Sequence, residues 1–258
     1  MKTVGGVAVI GTLAGCVGGD EPEDPPEEMD DSDGMDDHEE MDDMEEHDET
    51  AGMLRVAHLS PDAPNVDVYV DGDPVLEDVP FRAVSDYLEL EAADYEIMIT
   101  AAGDMDTVVF DETVPVGEGD YTAAALGELA DETQPFEVSI FEDDLSDPGD
   151  DARVRVVHAS PDAPAVDVTV EESGDAIVEG ASFGDAAPVE VPAGSYTLEV
   201  RPATEDNDGD IVGTFPVEVE AGTVYSAFAV GYLEPESAPA EEAFDLEVVV
   251  DAENEARS

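Results

Sequence analysis

Val66, Val68 and Val70 alternate with Asp67 and Tyr69, so one side of this segment is apolar and the other largely polar. That period of two is the signature of a strand with one face on a core. Comparable runs recur at about 84–90, 95–101, 107–116, 121–127 and 136–141, and Gly, Pro, Asp or Asn separates most of them. Apolar residues nowhere recur at helical spacing over about twelve or more positions. The alanine-rich stretch Ala123–Ala130 fits either pattern, but its later counterpart Ala227–Leu233 carries Phe228, Val230 and Tyr232, which favours strand.

The pattern also repeats. Residues 54–70 read LRVAHLSPDAPNVDVYV and residues 154–170 read VRVVHASPDAPAVDVTV, with 12 of 17 positions identical at an offset of 100. Phe81 then matches Phe183, Tyr95 matches Tyr196, Tyr121 matches Tyr225, and Phe136-Glu137-Val138 matches Phe244-Asp245-Leu246. A period of this length suits two tandem domains rather than a solenoid. About seven short strands in roughly 100 residues predict an all-β chain of two tandem immunoglobulin-like β-sandwich domains. The cysteine pair and tryptophan of true immunoglobulin domains are missing, so that likeness is architectural. The expected organisation is a signal peptide over 1–15, an acidic disordered tether over 16–51, a first sandwich over 52–143 and a linker over 144–151, where Ser146-Asp147-Pro148-Gly149 supplies turn chemistry. A second sandwich over 152–250 and a tail over 251–258 complete it.

The N-terminal segment explains the tether. In MKTVGGVAVIGTLAGC one positive charge precedes an apolar run too short to span a bilayer, and Leu13-Ala14-Gly15-Cys16 resembles the lipobox of secreted lipoproteins. Cys16 is the expected lipid attachment site, and as the single cysteine it rules out an intramolecular disulfide. From Asp20 to Thr50, 19 of 31 residues are acidic and none is aromatic, so like charges extend a chain that cannot bury a core. Met29, Met35, Met41 and Met44 lie near His38 and His47 there, but their spacing follows no metal-ligand pattern, and a solvated spacer is the expectation.

Charge narrows the setting. The 258 residues carry 70 acidic against 7 basic side chains, a formal net charge of −63. A basic groove for nucleic acid is excluded. The one lysine is Lys2, and the arginines are Arg55, Arg82, Arg153, Arg155, Arg201 and Arg257. Such a surface repels itself at low salt and is relieved when molar salt shrinks the Debye length to about 3 Å, which points to an extreme halophile.

The repeated motif is the main candidate site. Pro61, Pro64, Pro161 and Pro164 fix their own φ, and Ser60, Asp62, Ser160 and Asp162 offer oxygens to the free amides of such loops. His58 and His158 share strand parity with Leu54, Val56, Val154 and Val156 and are expected to point inward or to cap the end of the sheet. If the strands flanking the loop pair, Arg55 shares parity with Asp67, and Arg155 with Asp167, so a structural ion pair is expected in each repeat. The alternative assigns His58, Asp62, Asp67, His158, Asp162 and Asp167 to one metal or glycan site per repeat, although the mixture of ligands selects no metal cleanly.

Arg-Val-x-His-x-Ser-Pro-Asp-Ala-Pro-x-Val-Asp-Val, at 55–68 and again at 155–168, resembles the signature of a secreted domain-of-unknown-function family, the one numbered 4397. The resemblance extends over most of residues 52–250 and implies cell-surface anchoring without an assigned activity.

Enzyme signals are few. Gly180-Ala181-Ser182-Phe183-Gly184 fits G-x-S-x-G, yet no histidine follows His158 and repeat one has Val79-Pro80-Phe81 at the matching place. The stretch Thr204–Gly209 is similar to a calcium loop but lacks two of its carboxylates and is expected to be a hairpin turn. Gly117-Glu118-Gly119 lacks the third glycine of a dinucleotide fingerprint. The expectation is a noncatalytic surface protein without cofactor, anchored to the membrane through Cys16 and binding an envelope protein or a glycan. The alternatives are a metal- or solute-capturing lipoprotein and, more remotely, a secreted hydrolase.

Overall fold

The computed structural model describes residues 51–130 and 134–253; the lipobox, Cys16 and the acidic tether lie outside them. The first half contains β1 (Ala51–His58), β2 (Val66–Val70), β3 (Asp73–Val79), β4 (Leu88–Glu91), β5 (Ala93–Ala101), β6 (Asp104–Val116), β7 (Gly119–Leu126) and β8 (Glu137–Asp143). The second repeats the series as β9 (Asp151–His158), β10 (Val166–Val170), β11 (Ala176–Ala181), β12 (Ala186–Pro192), β13 (Gly194–Pro202), β14 (Gly213–Val219), β15 (Thr223–Val230) and β16 (Asp245–Glu253).

Each half is a sandwich of two four-stranded sheets. In the first, β4-β1-β7-β8 faces β3-β2-β5-β6; in the second, β12-β9-β15-β16 faces β11-β10-β13-β14. β1 runs parallel to β7, and β9 to β15, while the other pairings are antiparallel. The valines of β2 and β10 meet Val56 and Val156 between the sheets, as the alternation requires.

The β1–β7 and β9–β15 sheets are covered on both sides. Every residue of β15 is buried, and β1, β7 and β9 are buried along most of their length. Their second face packs on the sister sandwich: Ala57, Leu59, Ala124 and Leu126 meet Val157, Ala159, Phe228 and Val230 in one apolar cluster. The molecule is therefore a stack of four sheet layers, and the central strands β1, β7, β9 and β15 of the inner two are largely apolar along their length because they are covered on both faces.

The fold corrects one expectation and adds a strand. β1 and β2 lie in different sheets and do not pair, so the Arg55–Asp67 and Arg155–Asp167 bridges have no basis. β3 has no apolar alternation to betray it: it is an edge strand, mostly exposed, whose pairing with β2 is broken by irregularities at Val66/Val68 and Val68/Tyr69.

Candidate functional site

The duplicated loops between β1 and β2 and between β9 and β10 use nearly every polar atom of the motif internally. Ser60 Oγ donates to Gly127 O at 2.7 Å, and Ser160 Oγ to Gly231 O at 2.6 Å. The Asp62 carboxylate accepts from the Leu129 and Ala130 amides, both at 2.9 Å, and Asp162 accepts from Leu233 and Glu234 in the same way. The loop thereby clamps the segment leaving β7 or β15. Gly127 and Gly231 are required at that point: both have positive φ, and a Cβ would lie 2.3 Å from Pro135 O or 2.4 Å from Ala243 O.

The histidines close the loop from inside. Nε2 of His58 bonds Pro64 O at 3.0 Å, and Nε2 of His158 bonds Pro164 O at 3.0 Å. The Ser160 amide donates to His158 Nδ1, so the ring proton sits on Nε2 and the imidazole is neutral. His58 and His158 are almost completely buried against Phe81 and Phe183, and burial pushes both pKa values down.

Asp67 and Asp167 act at the far side of the sandwich. Asp67 accepts from the Asp78 and Gly103 amides at 2.8 Å each, and Asp167 from Gly180 at 2.8 Å and Thr204 at 3.0 Å. The six candidate ligands are thus tied to backbone groups, and no group of three or more His, Cys, Asp or Glu among the described residues is arranged to hold a metal ion. The same geometry explains Gly180-x-Ser182-x-Gly184. Both glycines have positive φ, as do Asp78 and Arg82 at the matching places in repeat one, and the element that follows is strand β12 rather than a helix. Thr204–Gly209 is the turn joining β13 to β14.

The arginines of the motif serve the seam between the sandwiches. Arg55 donates through Nη1 to Asp251 at 2.7 Å, through Nη2 to Ser226 Oγ at 3.0 Å and through Nε to Thr122 Oγ1 at 2.9 Å. Arg155 reciprocates: Nη1 pairs with Asp143, Nη2 reaches Thr122 Oγ1 at 3.1 Å, and Nε reaches Ser226 Oγ at 3.2 Å. The Thr122 and Ser226 hydroxyls in turn donate hydrogen bonds to Asp143 and Asp251. Two guanidiniums, two carboxylates and two hydroxyls therefore form a buried, electrically neutral network with quasi-twofold symmetry. Tyr87 seals one side, stacked 4.8 Å from Arg55 and donating to Asp143 at 2.6 Å; burial first, then that carboxylate, pushes its phenol pKa strongly upward.

Further contacts follow the same seam. Arg82 pairs with Asp245 at 2.9 Å and bonds Ala243 O, and buried Tyr232 donates to buried Glu128 at 2.7 Å. Arg153 ties the connection between the sandwiches to its own strand, bonding Ser146 O at 2.8 Å and pairing with Asp144 and Glu190. Four of the five arginines among the described residues thus hold the two sandwiches or their linker. Sequence reasoning missed Thr122, Ser226, Asp143 and Asp251. The available signal was that aligned repeats keep a hydroxyl and an Asp at matching places in a chain where arginine is scarce.

Comparison with known proteins yields little beyond the repeat. No curated protein matches the chain. Among solved structures, the Bacillus anthracis TIE protein is 15% identical with a TM-score of 0.24, over 71% of this chain and 34% of that one, so the chain spans about a third of its length. A family 26 carbohydrate-binding module from Eubacterium rectale Amy13K, solved with maltoheptaose, is 11% identical with a TM-score of 0.25, over 80% of this chain and 98% of that one. The family model described as domain of unknown function (DUF4397) matches residues 52–169 and again 152–258, and with both halves covered the chain belongs to that family.

Proposed function

We propose that the protein is a noncatalytic adhesion or envelope-bridging lipoprotein of an extreme halophile, held through Cys16 to the outer face of the cell membrane. The observation that carries this reading is the seam. A buried charged network and an apolar cluster fix the two sandwiches as one body, and the outer sheets β3-β2-β5-β6 and β11-β10-β13-β14 then look away from each other. A rigid body with quasi-equivalent faces on opposite sides suits joining two partners, such as envelope proteins or glycans. The polar atoms of the duplicated loops are spent on backbone amides and carbonyls, which favours support of the sandwich ends over capture of a solute.

The test is sedimentation and light scattering of isolated cell-envelope fragments with the purified chain in about 3 M salt, chosen to screen the charge. Wild type should bind the fragments and cluster them. A variant with Arg55 and Arg155 replaced by Ala, whose sandwiches are no longer fixed, should bind with less clustering. Failure of wild type to bind or to cluster the fragments would remove the proposal.

A further inference from the structure

The two sandwiches are not equally well filled. Between the sheets of the second lies a cavity of about 230 Å³, whereas the corresponding gap in the first is about 40 Å³. The difference is written in the sequence. The pairings Leu54↔Leu88 and Gly52↔Leu90 in the first sandwich become Val154↔Val189 and Ala152↔Val191 in the second. Ile140 likewise becomes Val248, each opposite an alanine of the central strand. Four side chains each lose a methylene around one space, while Val138→Leu246 and Val75→Ile177 each return one and Gly52→Ala152 adds a methyl beside it, so the larger volume reflects where the losses fall as well as their number. The enlarged space is walled by valine, leucine and isoleucine side chains. Its exposed lining is Ser173, Asp175 and Pro192 at the β10–β11 and β12–β13 connections together with Val248 of edge strand β16, so the cavity opens at the end of the sandwich opposite the β9–β10 loop and beside β16.

We infer that the second sandwich binds a small uncharged hydrocarbon group in this cavity. Three features select the class. The wall offers no buried polar group to orient a polar ligand, and apolar cavities of this kind stay free of water. An apolar cavity of about 150 Å³ accepts benzene, so by proportion about nine carbons fit here. Asp175 at the mouth places a carboxylate beside any carboxylate or sulfate head, close enough to act through molar salt, which separates this ligand from a fatty acid or an anionic detergent. The site is independent of the envelope-bridging reading.

The experiment uses the full chain in about 3 M salt, to screen its charge, with p-xylene and n-hexane near their solubility limits and sodium decanoate as the anionic arm. Thermal unfolding should shift upward with either hydrocarbon and not with decanoate. Methyl NMR shifts on adding p-xylene should concentrate at Val154, Val156, Val189 and Leu198. The triple variant Val154→Leu, Val189→Leu, Val191→Leu, which copies the first sandwich, should melt higher unliganded and lose the hydrocarbon shift. Should the triple variant fail to fold, Val189→Leu alone should weaken the shift. A flat hydrocarbon response, methyl shifts scattered outside the cavity, an undiminished shift in the filled variants, or a larger shift with decanoate would each overturn the inference.

Discussion

Replacing Arg55 by Met tests whether the seam makes one body of two sandwiches. Arg55 is 2% exposed, and its loss leaves the buried Asp251 carboxylate with the Ser226 hydroxyl but no cation. Breaking a buried pair by removing one partner costs about 3–5 kcal/mol, because the remaining charge is uncompensated. Asp251→Leu should cost a similar amount by leaving both guanidiniums to share the one carboxylate of Asp143, 3.8 Å from Arg55. The double variant should cost less than either single one, since replacing a buried ion pair by packed apolar groups is often close to neutral. Urea unfolding of the full chain in about 3 M salt would read all four proteins. Wild type should unfold in one transition, and each single variant should lose stability and split into two. The coupling between the two substitutions should change little between about 1 and 4 M salt, because ions do not screen a pair that excludes them. Single costs below about 1 kcal/mol that simply add would show a solvated surface pair, and the argument for a locked seam would fail.

Two further predictions probe the loops and the turns. Burial lowers the pKa of His58 and His158 in the native state, so as pH falls below about 6.5 the unfolded chain takes up protons that the native chain refuses. Stability should therefore fall on acidification from pH 7.5 to 5.5, approaching about 2.7 kcal/mol per pH unit if both histidines stay neutral, and the His58→Gln, His158→Gln protein should show a flatter profile. An unchanged slope in that variant would contradict a buried neutral role. Asp78 sits at φ 55° where repeat two has Gly180 at φ 64°. Asp78→Gly should raise stability by roughly 0.5–1 kcal/mol by relieving the left-handed backbone, less any loss of the exposed Asn65–Asp78 hydrogen bond. A lower urea midpoint would show that the Asp side chain matters more than its backbone.

What could be read in the sequence was whatever repeats locally. The period of two in β2 and β10 placed their valines in the core, and the parity of His58 with Leu54 and Val56 placed its ring inside. Parity also put Arg55 on the opposite face of β1, but it cannot say what covers that face. The assumption of a pairing with β2 supplied Asp67, whereas the true partner, Asp251, lies 196 residues away on the sister sandwich. A residue that is polar, in a strand and on the non-core side reads as solvent-facing whether water or another sheet is there. The alanines of β7 carried the missing hint. A strand whose two faces are both small and apolar has no polar side to show to water, and such strands lie in the middle of a stack.

The seam also shows what duplication made available. In an isologous contact, a residue on the twofold axis meets its own copy, so any charge there faces itself. Here the matching places hold different residues: Glu128 corresponds to Tyr232, and the two meet in a 2.7 Å hydrogen bond where two glutamates would repel. The same divergence runs through the apolar cluster, where Ala57 corresponds to Val157 and Ala124 to Phe228, so a small residue in one repeat matches a larger one in the other. The Arg–Asp–hydroxyl network keeps its symmetry, because each guanidinium needs a carboxylate on the opposite sandwich and symmetry supplies one to both. Two identical sandwiches could share that network but not the Glu–Tyr pair. The repeats are complementary halves, and the pairing of first with second is fixed by the places where the symmetry has been broken.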